Sequence, residues 1–367
     1  MKKLRAGIMG CGEISSHYFK SAKEIYSDFY SVVACADLAE ERANSRACEF
    51  SVGRVISPDE MMRDDAIDLI INLTVPKAHE QVIISGLENG KHVYTEKPLA
   101  MSRLGVEKII KAAEYSGKRV GCAPDTFMGA PIQTVKKMIE TGWIGDIVGF
   151  SANCPLRGNE YHRPDVEFFY EKGAGPILDM APYYLNTLVF IMGPVESVTG
   201  AGRITWPART IKVAPRRGES VPVEVPTYTA AIIQFESGVF GTFTNTFDVW
   251  NSKMPNIEIY GEKGTIVLPD PNRYQGDVLI SRFQDKTWQI CPLLNEYANN
   301  MRGAAVADMV RSIDMLAPHR AGLELAAHVT DVMLCMEESI NTGGRVRVES
   351  SCAPISGLWV GEETFNN

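Results

Sequence analysis

Residues 4–15 read LRAGIMGCGEIS, a short apolar run followed at once by a glycine-rich turn. The apolar run predicts a buried β-strand, and the helical pattern of residues after the turn extends to about Tyr26. A second apolar run, residues 32–36, predicts the next strand and is followed directly by Asp37. This order of strand, glycine turn, helix and acid-terminated strand is typical of a dinucleotide-binding unit.

The glycine turn has the residues that a bound pyrophosphate requires. Gly10 allows the chain to turn tightly, and Gly12 lacks the side chain that would block a phosphate. Glu13 and Ile14 lead into the helix whose N-terminal N–H groups would face the phosphates, so we predict that both contact the cofactor. Ser15 replaces the third glycine of the usual fingerprint and is small enough for close packing of the helix against the strand.

Asp37 indicates which dinucleotide is bound. Its carboxylate would accept hydrogen bonds from both hydroxyls of the adenosine ribose, and its charge would repel a 2′-phosphate. We therefore expect the cofactor to be NAD rather than NADP. A Gly-x-Gly pair alone is often only a tight turn, but the flanking strands, helix and acid favour dinucleotide binding.

Strands and helices alternate along residues 1–125, which predicts an α/β, Rossmann-type NAD-binding domain with a doubly wound parallel sheet. Beyond the first two strands, we predict strands over residues 54–56, 66–72, 91–94 and 119–123. Helices are predicted between them, over residues 38–50, 76–90 and 102–115. A Glu-Lys-Pro turn then follows the fifth predicted strand, at the edge of the sheet that faces the cofactor.

The pattern changes after residue 125, and residues 126–350 predict a second domain of α+β type. Apolar runs such as 229–235 and 257–260 recur between turns, which indicates a large, mostly antiparallel open sheet. Helices are expected over residues 131–140, 179–192, 301–316 and 322–340. We predict that this domain binds the substrate and forms the oligomer interface, and that residues 351–367 are a C-terminal tail.

Composition excludes several other classes of protein. The chain has 367 residues, 45% hydrophobic and 22% charged, with a formal net charge of −8 and no basic stripe, so no nucleic-acid partner is expected. No apolar stretch reaches membrane-spanning length and no signal region is recognisable, so we expect a cytoplasmic protein that does not bind membranes. The eight cysteines lack zinc spacing and are interpreted as reduced thiols, and no metal site is expected.

Four motifs occur in the order of one known family. They are the glycine turn 10–12 with Asp37, NLTVP over 72–76 with His79, Glu96-Lys97-Pro98, and KGAGPILDMAPY over 172–183. With these motifs, the whole chain resembles the glucose–fructose oxidoreductase, inositol dehydrogenase and MocA (Gfo/Idh/MocA) family. The resemblance implies an NAD(P)-binding domain followed by an open-sheet domain, in an oxidoreductase that acts on sugars or cyclitols as a dimer, tetramer or higher homo-oligomer.

Lys97 is the first catalytic candidate. In the family this lysine lies between nicotinamide and substrate, so the resemblance implies that Lys97 is catalytic and contacts the cofactor. An ammonium there would stabilise the alkoxide character of a carbinol that loses hydride. Cofactor contact is also predicted for Thr74, Pro76, His79 and Glu96 in the same motifs, although His79 is alternatively a satisfied helix histidine.

Asp179 and Tyr183 lie four residues apart on one predicted helix, hence on one face, and both are catalytic candidates. The family usually has histidine where this chain has Tyr183, so the identity of the general base is open. Tyr183 is the base if the charge of Lys97 promotes its ionisation; otherwise it hydrogen-bonds the sugar or packs in the core. The alternative base or substrate ligand is His162.

His162 lies in a polar and aromatic loop. Its neighbours Tyr161, Phe168 and Tyr170 are candidates for stacking on a sugar face. Asp125, where the two predicted domains join, is either an ordinary turn residue or a residue that lines the cleft.

The predicted function is transfer of hydride between NAD and a secondary hydroxyl of a sugar, cyclitol or glycoside. One alternative is an NAD-dependent glycosidase, in which transient oxidation acidifies the adjacent C–H and permits elimination. The other is a non-catalytic sugar sensor that binds NAD. The presence of both Lys97 and Asp179 argues against the sensor.

Overall fold

The computed structural model describes residues 2–294 and 301–358. These residues form two compact units, each assembled from separate stretches of the chain. The described part of unit 1 comprises residues 2–129, 301–330 and 355–358, and that of unit 2 comprises residues 130–294 and 331–354. Most of the predicted C-terminal tail, from residue 359 onward, lies outside the described residues.

Unit 1 is built around a parallel sheet. Up to residue 129 its elements are β1 (Leu4–Met9), α1 (Ser15–Glu24), β2 (Tyr30–Ala36), α2 (Glu40–Phe50), α3 (Pro58–Arg63), β3 (Leu69–Asn72), α4 (Pro76–Glu88), β4 (His92–Thr95), α5 (Arg103–Ser116) and β5 (Val120–Cys122). The strand order is β2-β1-β3-β4-β5, and every neighbouring pair is parallel. The predicted Rossmann-type sheet is therefore confirmed.

Local sequence signals account for both ends of α5 in unit 1. The Ser102 hydroxyl accepts a hydrogen bond from the Gly105 N–H at 3.1 Å, so it caps α5, and Gly117 ends that helix in a left-handed conformation with φ +64°. The strand predicted over 54–56 is wrong, because this exposed or half-buried segment makes only one isolated bridge, from Val55 to β2. The Glu-Lys-Pro turn consequently follows the fourth strand rather than the fifth.

The described residues after 129 form the strands of a larger sheet and further helices, one of which, α8, belongs to unit 1. Its elements are α6 (Ala130–Glu140), β6 (Ile147–Pro155), α7 (Gly175–Met192), β7 (Val195–Arg203), β8 (Ala208–Thr210), β9 (Ser220–Pro222), β10 (Tyr228–Phe235), β11 (Phe240–Thr246), β12 (Ile257–Gly261), β13 (Gly264–Leu268), β14 (Leu279–Arg282), β15 (Gln289–Ile290), α8 (Ala304–Asp314), α9 (Leu323–Thr342) and β16 (Arg345–Arg347). Across residues 2–294 and 301–358, no helix is both long and apolar enough to cross a membrane.

Unit 2 contains a nine-stranded sheet in the order β15-β14-β13-β12-β6-β11-β10-β7-β16. Neighbouring strands are antiparallel except β6 and β11, which run parallel, so the predicted mostly antiparallel sheet is confirmed. Residues alternate along β10: Thr229, Ala231 and Ile233 are buried, whereas Tyr228 and Ile232 are 38% and 49% exposed. This alternation gives the sheet one covered and one open face.

The two units do not coincide with the consecutive segments 1–125 and 126–350 expected from the sequence, because α8 packs in unit 1. One Asp125 carboxylate oxygen accepts hydrogen bonds from the Gly303 and Ala305 N–H groups at 2.9 and 3.3 Å. The Tyr26 hydroxyl donates to the Met301 carbonyl at 2.9 Å. Asp125 is fully buried and holds the first turn of α8, which gives it a structural role within unit 1.

Candidate active site

The glycine turn after β1 is crowded at Gly10 and open to space at Gly12. Gly10 has φ +97°, and a Cβ there would lie 2.5 Å from the Leu73 carbonyl oxygen, so only glycine fits. At Gly12, by contrast, a Cβ would meet no atom within 4 Å. The turn therefore closes tightly against the end of β3 and leaves room beside Gly12 that a pyrophosphate can occupy.

The start of α1 matches the predicted phosphate-facing helix. Ser15 is fully buried and its hydroxyl donates to the Gly12 carbonyl at 2.6 Å, which links the helix to the turn. Ile14 is the N-cap residue and provides no side-chain hydrogen bond to the helix end. Glu13 is exposed beside it, and the first turn of α1 has no acidic residue to oppose a bound anion.

Asp37 fixes the glycine turn, a role that the sequence analysis missed. Its Oδ2 accepts a hydrogen bond from the Cys11 N–H at 2.7 Å, and its Oδ1 accepts one from the Ala39 N–H at 2.8 Å. The second contact is an Asx turn, a habit of aspartate that could have signalled this role. Each carboxylate oxygen has a second lone pair, so ribose hydroxyls can bind in addition.

Glu96 connects Lys97 to the helix of the glycine turn. The Tyr18 hydroxyl, on α1, donates to Glu96 Oε1 at 2.8 Å, and the Lys97 N–H donates to Glu96 Oε2 at 3.2 Å. Tyr18 is fully buried and Glu96 is 9% exposed. Burial, and then the charge of Glu96, raise the pKa of Tyr18 well above its usual value, so its hydroxyl stays protonated and donates. Glu96 thus holds the backbone that presents Lys97.

His79 lies between two loops, the one after β3 that contains Thr74 and the one after β4 that contains Lys97 and Pro98. The ring is fully buried on α4, with Nδ1 2.7 Å from the Pro98 carbonyl oxygen and Nε2 3.0 Å from the Thr74 carbonyl oxygen. Burial lowers the pKa of His79, and the two carbonyl contacts oppose this effect more weakly. A neutral ring donates to only one of these carbonyls, whereas a protonated ring donates to both, so the strength of the link between the two loops depends on the protonation state of the ring.

Side chains at the ends of β3 and β4 complete the arrangement in unit 1. The Thr74 hydroxyl donates to Asn72 Oδ1 at 2.6 Å, and Asn72 Nδ2 donates to the Thr95 hydroxyl at 3.0 Å. Pro76 lies in the first turn of α4, as predicted for a helix that begins with proline. Unit 1 therefore brings the predicted cofactor residues to the carboxyl edge of its parallel sheet, the usual place for a dinucleotide.

The other catalytic candidates lie in unit 2. Asp179, half-buried, and Tyr183, 7% exposed, occupy one face of α7. This helix begins at Gly175, four residues before the start expected from the sequence. Gly175 has φ +80°, and its Cβ would approach a Val225 methyl group at 3.0 Å, so the glycine-rich motif allows a close entry into the helix.

His162 lies on a separate, exposed loop of unit 2, after the short 3₁₀ turn Asn159–Tyr161. Phe168 is 49% exposed and remains available for stacking. Tyr170 does not: it is fully buried and its hydroxyl donates to Glu160, so the expectation that it stacks on a sugar is wrong. The pattern of aromatic residues could not distinguish it from its exposed neighbours.

A buried ionic network supports the His162 loop and was not anticipated from the sequence. Arg209 Nη1 donates to Glu160 Oε1 at 3.1 Å, and Nη2 donates to Asp248. Arg209 and Glu160 are 4% and 2% exposed. Buried charges of this kind are stable only when paired, so the network fixes the loop relative to the sheet. The partners are 49 and 39 residues from Arg209, which no local pattern reveals.

Comparison with known proteins agrees with this geometry. An oxidoreductase family model with an NAD-binding Rossmann fold matches residues 4–123, and the GFO/IDH/MocA C-terminal domain matches residues 132–267. The chain belongs to the Gfo/Idh/MocA family. It is an NAD-binding oxidoreductase, as the motifs predicted.

Three similar proteins share between 18% and 25% sequence identity with this oxidoreductase. Myo-inositol 2-dehydrogenase of Thermotoga maritima is 23% identical over 267 residues, 72% of this chain and 74% of the relative. The 1,5-anhydro-D-fructose reductase of Ensifer adhaerens is 25% identical over 272 residues, 72% of this chain and 75% of the relative. The structure of levoglucosan dehydrogenase in complex with NADH and levoglucosan has a TM-score of 0.82 at 18% identity, covering 95% of this chain and 100% of that one. That likeness concerns the fold.

Proposed function

We propose that the protein is a dehydrogenase that transfers hydride between NAD and a secondary hydroxyl of a sugar, cyclitol or glycoside. The observation that carries this proposal is Glu96, which ties Lys97 to Tyr18 on the helix that starts at the NAD-binding turn. The names of the relatives, inositol dehydrogenases and an anhydrofructose reductase, support the substrate class.

When bound, NAD supplies the hydride acceptor. The Lys97 ammonium would stabilise the alkoxide as the carbinol C–H bond breaks, an electrostatic effect that is strongest in the transition state. We assign Asp179 and Tyr183 to the substrate, because they share one face of α7. Tyr183 is our preferred acceptor of the hydroxyl proton, and His162 is the alternative.

Two further properties belong to the proposal. We propose a homo-oligomer that forms through the open face of the nine-stranded sheet, where Phe240 is 59% exposed and lies on the same face as Ile232. We also propose a cytoplasmic location, supported by eight cysteines that are all free thiols, as expected in a reducing compartment.

The test is a panel of sugars, cyclitols and glycosides, followed by NADH absorbance and by mass spectrometry of the products. A keto product that is two hydrogens lighter, formed with one NADH, is the expected result. Lys97→Ala should lower the rate of product formation by on the order of 10²-fold or more. Lys111→Ala, at an exposed lysine on α5, is the matched control and should leave the rate unchanged. Cleavage of a glycoside without net NADH would instead identify a glycosidase, and binding without turnover would identify a sensor.

A further inference from the structure

Three aromatic side chains in unit 2 surround one guanidinium group close in sequence to His162. The Arg157 guanidinium carbon lies 4.1 Å from the ring centroid of Trp250, 5.2 Å from that of Trp206 and 5.1 Å from that of Tyr161. Tyr161 and Trp250 also meet edge to face, with ring centroids 4.9 Å apart. We name Tyr161, Trp206, Trp250 and Arg157 the aromatic platform.

The aromatic platform is both exposed and firmly held. Trp250 and Trp206 are 69% and 42% exposed, which is unusual for the largest apolar side chains. Arg157 Nη1 donates to the Asp248 carbonyl oxygen at 3.2 Å and Nη2 donates to the Tyr161 hydroxyl at 3.1 Å. These bonds fix the guanidinium against which both indole rings pack, so less conformational entropy is lost when a ligand binds to the rings.

The buried network beneath the platform fixes it further. The Arg209 guanidinium carbon lies 4.8 Å from the Trp206 ring centroid, on the side chain that pairs with Glu160 and Asp248. The Thr227 hydroxyl also donates to Asp248 Oδ2, at 2.9 Å. Two guanidinium groups therefore lie near the Trp206 ring, each with its own hydrogen bonds to the protein.

The platform lies at the same edge of the sheet as the first turn of α7. β6 and β11 run parallel, so their carboxyl ends share one edge, and the chain continues from them directly into Arg157 and Trp250. At the same edge, Asn245 Nδ2 of β11 donates to the Pro176 carbonyl oxygen at 2.6 Å. Pro176 lies in the first turn of α7, the helix that carries the proposed substrate residues.

We propose that the aromatic platform binds a second pyranose ring, joined by a glycosidic bond to the ring that is oxidised. A pyranose has an apolar C–H face that complements an indole face, and a rim of hydroxyls. Asn251, which is exposed and directly follows Trp250 in the chain, is the polar group that we assign to that rim. The inference rests on the proposed function and narrows its substrate class to glycosides of two or more rings.

A second copy of the chain is the competing occupant, but the fold favours the sugar. The broad apolar surface suited to a subunit is the open face of the nine-stranded sheet, along β10 and β11, whereas the platform lies beyond the ends of β6 and β11. The platform consists of three aromatic rings around one guanidinium group, and its exposed rings suit stacking against a sugar ring.

The experiment compares matched ligands in three proteins: the wild type, Trp250→Ala and Trp143→Ala. The ligands are the methyl glucosides, with one ring, and the disaccharides maltose and cellobiose, with two. Trp143 is the matched control because it too is exposed, at 47%, and lies beside an arginine, with the Arg282 guanidinium carbon 5.9 Å from its ring centroid. It precedes β6, at the end of that strand opposite to the platform. Isothermal titration calorimetry measures binding, and NADH formation measures KM and kcat.

We expect the wild type and Trp143→Ala to bind at least one disaccharide about tenfold more tightly than the matching methyl glucoside, the scale of a stacked ring. Trp250→Ala should lose this difference and leave the methyl glucoside constants unchanged. Equal constants for one-ring and two-ring ligands in the wild type would overturn the inference, as would equal losses for both in Trp250→Ala. A Trp250→Ala variant that changes the mass in light scattering would assign the platform to a second copy and overturn it too.

These outcomes separate the inference from the proposed function. A two-ring preference in calorimetry that depends on Trp250, without NADH formation from any sugar, supports the platform and counts against the dehydrogenase. NADH formation from sugars with no two-ring preference supports the dehydrogenase and overturns the platform.

Discussion

Replacing Tyr18 with phenylalanine tests whether Glu96 positions Lys97. The substitution keeps the buried ring, which lies 6.2 Å from that of Tyr94, and removes only the hydroxyl that donates to Glu96. A hydrogen bond to a buried carboxylate contributes about 1.5–3 kcal/mol, so we expect the free energy of unfolding to fall by about 2 kcal/mol. Glu96 then keeps its contact with the Lys97 N–H but loses its anchor to α1.

The catalytic effect should exceed what lower stability alone explains. A small displacement of Lys97 weakens contact with the developing alkoxide, so kcat should fall about tenfold or more in conditions where the variant is fully folded. Urea unfolding measures stability, and steady-state kinetics with saturating NAD measure kcat.

Tyr26→Phe is the matched control. Tyr26 is also fully buried in unit 1, and its hydroxyl donates to the neutral Met301 carbonyl, so we expect a loss of about 1 kcal/mol and an unchanged kcat. If Tyr18→Phe unfolds like the wild type, or loses stability without losing kcat, Glu96 is only a structural residue and the reasoning is refuted.

Four other predictions address the cofactor, the catalytic residues and the assembly. The wild type should bind NADP more weakly than NAD because Asp37 faces the 2′-phosphate, and an equal or lower Kd for NADP in titration would contradict this. Lys97→Ala should lower kcat by on the order of 10²-fold or more while the Kd for NAD stays the same, so a wild-type kcat would remove Lys97 from catalysis. Tyr183→Phe should cost on the order of 10²-fold in kcat, with a pH profile that changes when Lys97 is replaced; an active Tyr183→Phe beside an inactive His162→Ala would make His162 the base. Light scattering at micromolar concentration should give a mass above that of one chain, and Phe240→Asp on the open sheet face should reduce it, whereas a monomeric wild type would exclude this interface.

The parts of the site that depend on neighbouring residues were predictable from the sequence. The turn at Gly10 and Gly12, and the caps of α5 at Ser102 and Gly117, each follow from the conformational preference of one residue. The parallel sheet follows in the same way, because its strands are nearly all apolar and alternate with helices.

What the sequence could not reveal depends on residues distant along the chain. Asp125 caps a helix 178 residues away, so it could not be distinguished from a residue that lines a cleft. Tyr170 and Phe168 have the same local pattern, yet only Tyr170 meets Glu160 in the core. Burial and pairing of this kind are set by tertiary packing, which overrides local preference.

The interleaving of the two units has a consequence for how the protein is made. The chain leaves unit 1 after residue 129 and returns to it with α8, so a ribosome must synthesise the first segment of unit 2 before the α8 segment of unit 1 exists. Until then, Asp125 lacks the two N–H groups of Gly303 and Ala305, and Tyr26 lacks the Met301 carbonyl. A nascent chain that contains only the NAD-binding sequence motifs is therefore incomplete, and a truncated gene that ends there would yield a fragment with buried polar groups missing their native partners.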